Sequence, residues 1–288
     1  MASSQFRAGE VPRSMHVSAL FVYPVKSLRG LNVSNVALDP LGFVGDRRFM
    51  VVDETGRFLS QRTVPRLALI ATELTGESLL LNAHGKHELY VPRNSDGTTL
   101  VRLVSVWSSE QLQAEDCGDA AAAWLGDFLG LRCRLVRAGA QFHRPLAKPG
   151  KARVDDVLGF NDGYPVLVIS EAALATLNDR LAGRGEEVVP MNRFRPNLVI
   201  ADCAAFAEDS WNRIRIGGAV LRAGGPCARC VVTTTDQETA ARGPEPLRTL
   251  ATFRRDRADP TNVNFGQNFI HETKAGTIER GAPVEIID

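Results

Sequence analysis

Apolar and polar residues alternate in short runs along most of the chain, a pattern that predicts many brief β-strands rather than long helices. Such runs cover residues 16–25, 48–52, 57–60, 67–74, 78–82, 87–91 and 99–104. Asp53-Glu54-Thr55-Gly56 lies between two of them as a hairpin signal. The first helical period falls at 118–129, with Asp116 and Asp119 near its start, Gly130 as the residue that stops it, and Trp124, Leu125, Phe128 and Leu129 as its core face. A strand is predicted at 131–136. The polar stretch 138–156, with its Pro and Gly, reads as a linker or flexible loop. A second helix is predicted at 171–181 behind Ser170 as N-cap. Strands resume at 198–201 and 211–216, and Gly217-Gly218 turns the chain into 219–222. The β-branched run 231–235 predicts a buried strand. Pro246 opens a short helix to about 254, and strands at 265–270, 277–280 and 284–287 follow.

Many short strands with few helices indicate a mainly β protein, a barrel or sandwich and not a doubly wound sheet. No βαβ alternation and no phosphate loop of the GxGxxG or GxxxxGK[ST] kind is read. At 288 residues the chain buries roughly three-quarters of its unfolded surface and needs no disulfide or metal for stability. Lys and Arg total 34 against 33 Asp and Glu, so the balance gives no case for nucleic acid or an acidic membrane. Five irregularly spaced Cys make a poor disulfide framework and point to a reducing compartment. With no signal-peptide core and no membrane-length apolar run, the expectation is a cytoplasmic protein, disordered up to about Ser14.

Three clusters can carry chemistry. The first is Gly225-Pro226-Cys227-Ala228-Arg229-Cys230. A zinc site lacks a second ligand pair, and a thioredoxin-like pair lacks a following helix if 231–235 is a strand. Two cysteines packed as small hydrophobes is the third reading. If 231 onward is extended, Cys230 can point into a cavity while Cys227 sits in the preceding Gly-Gly-Pro turn. A lone thiolate on a rigid strand is a plausible soft ligand for a metal whose other ligands belong to a cofactor. The second cluster, Tyr23-Pro24-Val25-Lys26-Ser27, sets a Lys and a hydroxyl at a strand end, either as an anion site or as a solvated terminus. The third is Asn192-Arg193-Phe194-Arg195-Pro196-Asn197. Pro196 favours an extended Arg195, so Arg195 and Asn197 share one side, able to meet a polar heterocycle or phosphate, or only a surface ion partner.

Taken together, these segments resemble the MOSC family, which binds the molybdenum cofactor. YPVKSLRG, GDRRFMVVDETGRFLSQR and PRLALI resemble the MOSC N-terminal β-barrel region. FNDGYPVLVISEAAL, FRPNLVI, EDSWNRIRIG, CARCVVTTTD, PLRTLATFR, FGQNF and GTIERGAPVEI resemble the MOSC domain. The similarity is nearest to the branch of the mitochondrial amidoxime-reducing component and its bacterial relatives. It implies a β-barrel like that of pyruvate kinase plus a smaller β-rich N-terminal domain, divided as 15–136 and 137–288, with the first strand packing on the C-terminal barrel. It also implies that Cys230 is the catalytic residue and ligates molybdenum. Lys26, Ser27, Arg48, Gly163, Tyr164, Arg195, Asn197, Ala228, Arg229 and Asn268 would join Cys230 in holding Mo-molybdopterin.

What the resemblance implies for function is a monomeric molybdenum-dependent oxidoreductase that reduces amidoximes, hydroxylamines or N-hydroxylated nucleobases. No membrane anchor and no plant-type ferredoxin cluster is read here. Electrons are therefore expected from a separate flavin or iron–sulfur protein, with Asp162 or Asp209 as guesses for the proton donor. Gly163-Tyr164 departs from the two hydroxyl residues of the mitochondrial relatives. The alternative is a cofactor carrier or sulfur-transfer module, since related MOSC domains sit beside a pyridoxal-phosphate domain in molybdenum-cofactor sulfurases.

Overall fold

The computed structural model describes residues 14–94, 97 and 99–287. Apart from Ser14, the segment expected to be disordered lies outside the described residues. The protein is mainly β. Its largest sheet runs Val284–Ile286, Arg213–Ile216, Ala219–Ala228, Asn264–His271, Val166–Ser170, Leu198–Ala201, His16–Val22 and Leu31–Val33 in spatial order. The chain's first described strand therefore belongs to a sheet built from the C-terminal half, paired His16↔Ala201 and Leu20↔Leu198. The amide of Val17 donates to Ala282 and that of Val284 to Met15, at 3.0 and 2.8 Å. The two ends of the sheet are thus drawn together around Val17, Leu20, Val168, Ile200, Ile214 and Leu221, all fully buried.

Asn35–Asp39 and Gly42–Phe43 pair with Thr277–Glu279 and add Val36, Leu38 and Phe43 to this core, and the other N-terminal elements make a second module. Phe49–Val52, Arg134–Arg137, Ser109–Asp116 and Val101–Val106 form a four-stranded sheet, and Ala71–Thr75, Ser78–Asn82 and Leu89–Pro92 a three-stranded one. The helix Asp119–Leu129 covers their shared core of Leu67, Leu79, Leu81, Leu125 and Leu135. It ends where Gly130 takes a left-handed φ of 73°, as its C-terminal glycine predicts. The helix Glu171–Ala182 starts at Ser170, whose hydroxyl accepts from the Ala173 amide at 3.2 Å.

Four expectations need correction. Val166–Ser170 and Leu198–Ala201 are parallel, joined across Glu171–Ala182, so one βαβ unit exists within an otherwise antiparallel sheet. Residues 67–74 do not form one strand: Pro65, pre-set for a first helical turn, starts a 3₁₀ helix Pro65–Leu69, and only Ala71–Thr75 is extended. The β-branched run after Cys230 is a 3₁₀ helix, Val231–Thr234, not a strand. Its threonines tolerate the turn because their hydroxyls bond back three residues, Thr233 to Cys230 O and Thr234 to Val231 O, at 3.0 and 2.8 Å. The stretch 138–156 is no free linker: Arg144 is buried and donates to the carbonyls of Gly159, Asn161 and Asp162 at 3.0, 2.5 and 3.1 Å.

One buried histidine gives the fold a pH dependence. His271 is fully buried, with Nε2 between the carbonyls of Asp39 and Pro40 at 3.0 and 3.2 Å. Burial, then the neighbouring Lys274 ammonium, lowers its pKa to about 4. The unfolded chain, with a histidine near 6.5, binds the proton first, so stability is lost as pH falls from about 6.5 towards 4. Urea unfolding at pH 5 and pH 7 is expected to differ by about 2 kcal/mol on this account. His271→Gln is expected to flatten that part of the profile; an unchanged slope would assign it to other groups.

Candidate functional site

A cavity of about 160 Å³ opens where the two modules meet. Lys26, Ser27, Arg47, Ser60 and Arg62 wall it from the N-terminal part, and Asp162, Tyr164, Arg195, Arg229, both motif cysteines and Asn268 from the other. A roomier depression of about 570 Å³ beside Ala122, Gly126 and Arg132 collects no comparable set of groups.

The N-terminal wall depends on one buried carboxylate. Asp46 accepts from the Tyr23 amide at 2.8 Å, from Arg47 at 2.7 Å, and from the side chains of Asn161 and Asn197 at 3.1 and 3.2 Å. The Tyr23 ring lies between two guanidinium groups, Arg47 at 4.2 Å and Arg195 at 4.3 Å from its centroid. Its hydroxyl donates to Pro196 O at 3.0 Å, and burial lifts its pKa to about 12 despite the two arginines. Burial likewise brings Arg195 down to about 10. A side chain at Gly30 would meet Tyr23 Cε1 at 2.3 Å, so glycine is what lets the ring lie there.

Ser27, Arg47 and Arg195 all line the cavity with positive φ of 69°, 48° and 57°. Arg195 is thus not extended as its following proline predicts; backbone strain is held at this cleft by the surrounding bonds. The left-handed turn at Arg47 also decides which arginine enters. Arg47 faces the cavity, while Arg48 points away to Asp39 and Phe43 O at 2.6 and 3.1 Å. Adjacent side chains leave the backbone on opposite sides, so a one-residue difference exchanges the two.

Lys26 is buried, donating to Phe160 O at 2.9 Å and ion-paired with Asp162. Burial lowers its pKa, opposed by Asp162. Packing around the Asp162 carboxyl works against ionisation, yet the Lys26 ammonium, its hydrogen bond, the Trp107 N–H and Arg62 outweigh this. The carboxyl is held below the usual carboxylate range, and its 63% exposure favours the charge further. Asp162 therefore accepts protons poorly and has none to donate near neutrality. Asp209, the other guess, pairs with Arg254 at 2.6 Å and does not line the cavity.

Both motif thiols reach the site. Cys227 lies within the strand Ala219–Ala228, not in a turn, because bulges at Ala223/Gly225 and Pro226/Ala228 absorb the Gly-Gly-Pro sequence. Cys230 precedes the 3₁₀ turn. Arg229 Nη1 lies 2.9 Å from Cys227 Sγ, and Arg62 Nη2 lies 3.2 Å from Cys230 Sγ. The other three thiols, Cys117, Cys133 and Cys203, are pushed by burial to about 12, 11 and 11. Arg229 also donates to Phe194 O at 2.6 Å, while its buried Nε has no partner among the described residues. Asn268 donates to Pro226 O at 3.1 Å. Tyr164 lies against Gly224, where a Cβ would meet its ring at 2.3 Å, and burial raises its pKa. Asn197 is committed to Asp46, Phe21 O, Arg47 and the Leu167 amide, so it joins walls together rather than offering free groups.

Thus Lys26, Ser27, Gly163, Tyr164, Arg195, Asn197, Ala228, Arg229, Cys230 and Asn268 converge, and Arg48 does not. Reasoning from sequence missed Arg47, Asn161, Arg62 and Cys227 as lining groups and Asp46 as their organiser. The GDRR segment was the signal for Arg47, but period two alone does not say which arginine points in.

The architecture is that of a two-module β protein whose polar and thiol groups gather at the joint. The MOSC N-terminal beta barrel domain matches residues 14–132 and the MOSC domain residues 155–285. Mitochondrial amidoxime-reducing component 1 of Mus musculus is 36% identical over 286 residues, covering 94% of this chain and 82% of that protein. The Homo sapiens protein of the same name is 35% identical over the same shares. A molybdenum cofactor sulfurase of Danio rerio is 33% identical over 275 residues, 90% of this chain but 32% of that protein. The chain belongs to the MOSC family of which the amidoxime-reducing components are members.

Proposed function

We propose that the cleft binds the molybdenum cofactor, Mo-molybdopterin, and that the protein reduces N-hydroxylated compounds with electrons from a separate redox protein. The observation that carries this reading is the convergence of two thiols with Lys26, Arg47, Arg62, Arg195 and Arg229 in one cavity. The donor set fits the group: a phosphate and a chelated soft metal call for cations and a thiolate, and the unpartnered Arg229 Nε still offers a buried N–H. Relatives named for amidoxime reduction, matched over most of their length, support the substrate class.

The cofactor, when bound, supplies the two-electron chemistry. Cys230 would be its protein ligand to the metal. Arg195 and Arg229, fixed by the carbonyls of Leu28 and Phe194, would meet the anionic part without reorganising. The Tyr164 phenol keeps its proton and can donate a hydrogen bond from the cavity wall. Lys26, buried in the cavity wall, and the exposed Asp162 carboxylate form an ion pair that would orient a bound group there.

Protein produced in a host that loads molybdoenzymes is expected to hold near one molybdenum per chain and to reduce benzamidoxime with a chemical electron donor. Molybdenum without turnover would favour a second reading, a cofactor carrier or sulfur-transfer module, which the similarity to a molybdenum cofactor sulfurase supports. Neither metal nor turnover would refute both.

A further inference from the structure

Trp107 occupies the turn between Val101–Val106 and Ser109–Asp116, with a left-handed φ of 55°. Trp124 and Trp211 are buried, but Trp107 is 45% exposed. An indole left open to water forgoes burial that would stabilise the fold. This one is nonetheless held in place from three directions. Its N–H donates to Asp162 Oδ1 at 3.0 Å, Arg62 lies 4.2 Å from its ring centroid, and Phe58 meets it edge-on at 4.9 Å. Each partner leads into the site: Asp162 to Lys26, Phe58 to Lys26 at 5.1 Å, and Arg62 to Cys230 Sγ at 3.2 Å. With one face under the Arg62 guanidinium, the ring is an orientated aromatic surface packed on two lining residues, Asp162 and Arg62, and linked through the latter to the Cys230 sulfur.

We propose that Trp107 is a specificity-determining platform on which planar, conjugated substrates stack. Offset stacking on a fixed indole rewards an aryl or heteroaryl group and gives little to a small alkyl one. Because the ring is already held by Asp162, Arg62 and Phe58, little ordering entropy opposes the contact. This rests on the reductase reading for the N–OH group, but the stacking itself does not depend on turnover.

Benzamidine and acetamidine carry the same amidinium, so a comparison between them cancels charge and isolates the ring. Benzamidine is expected to quench the exposed tryptophan's fluorescence saturably and to bind about tenfold more tightly than acetamidine by calorimetry. Trp107→Leu is expected to abolish that preference, and Trp107→Phe, which keeps a ring but not the N–H, to retain most of it. The ratio of kcat/KM for benzamidoxime over acetamidoxime is expected to fall about tenfold in Trp107→Leu. An unmoved preference in Trp107→Leu would overturn the platform. So would equal losses in the Leu and Phe variants, which would make the bond to Asp162 the operative feature. If the wild type shows the binding preference but reduces neither amidoxime, the platform stands and the reductase reading falls.

Discussion

Cys230→Ser is expected to lose both bound molybdenum and turnover, whereas Cys227→Ser keeps most of each. The loss should exceed the roughly 100-fold that removal of an outer partner of a metal ligand costs, because a hard alkoxide donor replaces a soft thiolate. The structure sharpens this comparison, since both sulfurs line the cavity and both stand beside a guanidinium, Arg62 for Cys230 and Arg229 for Cys227. Proximity alone thus does not separate them. What differs is their backbone setting. Cys227 is part of a strand paired to Asn264–His271, while Cys230 is extended at the head of the 3₁₀ turn, its carbonyl receiving the Thr233 amide at 3.1 Å. Elemental analysis and benzamidoxime turnover on the two variants, side by side, test the split. Equal losses would refute it, and the reverse order would move the ligand to Cys227.

The second large effect is expected at a residue that touches no ligand. Asp46→Ala should destabilise the protein by about 3–5 kcal/mol, the range seen when one partner of a buried ion pair is removed. Asp46 is 2% exposed, and its loss leaves the Arg47 guanidinium without its carboxylate and takes one acceptor each from the amides of Asn161 and Asn197. Those groups join the strand His16–Val22 to Leu198–Ala201 and to the turn before Val166–Ser170, so the cavity should loosen with the fold. Urea unfolding gives the stability change. Molybdenum content, measured at a temperature where the variant remains folded, reports the cavity. A cost below about 1 kcal/mol would show that water replaces the carboxylate, as it does for exposed pairs. Asp46→Asn, of similar shape, should fall between the variant and the wild type.

Sequence and structure agree where the physics is local. Ser170 caps its helix and Gly130 ends another because a hydroxyl acceptor and a missing Cβ act within four residues. Gly217-Gly218 turns its hairpin with Ile216 opposite Ala219 for the same reason. Departures from local propensity have a different origin. Residues 231–235 have the composition of a strand, but a turn is chosen there because threonine hydroxyls and surrounding packing satisfy it. Arg195 departs from the preference set by Pro196 because its guanidinium is held against Tyr23 and Leu28 O by residues far away in sequence.

By itself, the order of amino acids determined the mainly β class, the family and most of the residues that gather at the cleft, since these follow from periodicity and from motifs only a few residues long. Tertiary structure alone decided that Arg47 rather than Arg48 faces inward, that Asp46 binds the walls together, that Trp107 packs on Asp162 and Arg62, and that Cys227 lines the cavity as Cys230 does. Each of these depends on which face a side chain takes and on partners up to 151 residues away in sequence. Such placement is set by packing between modules, and no local propensity carries it.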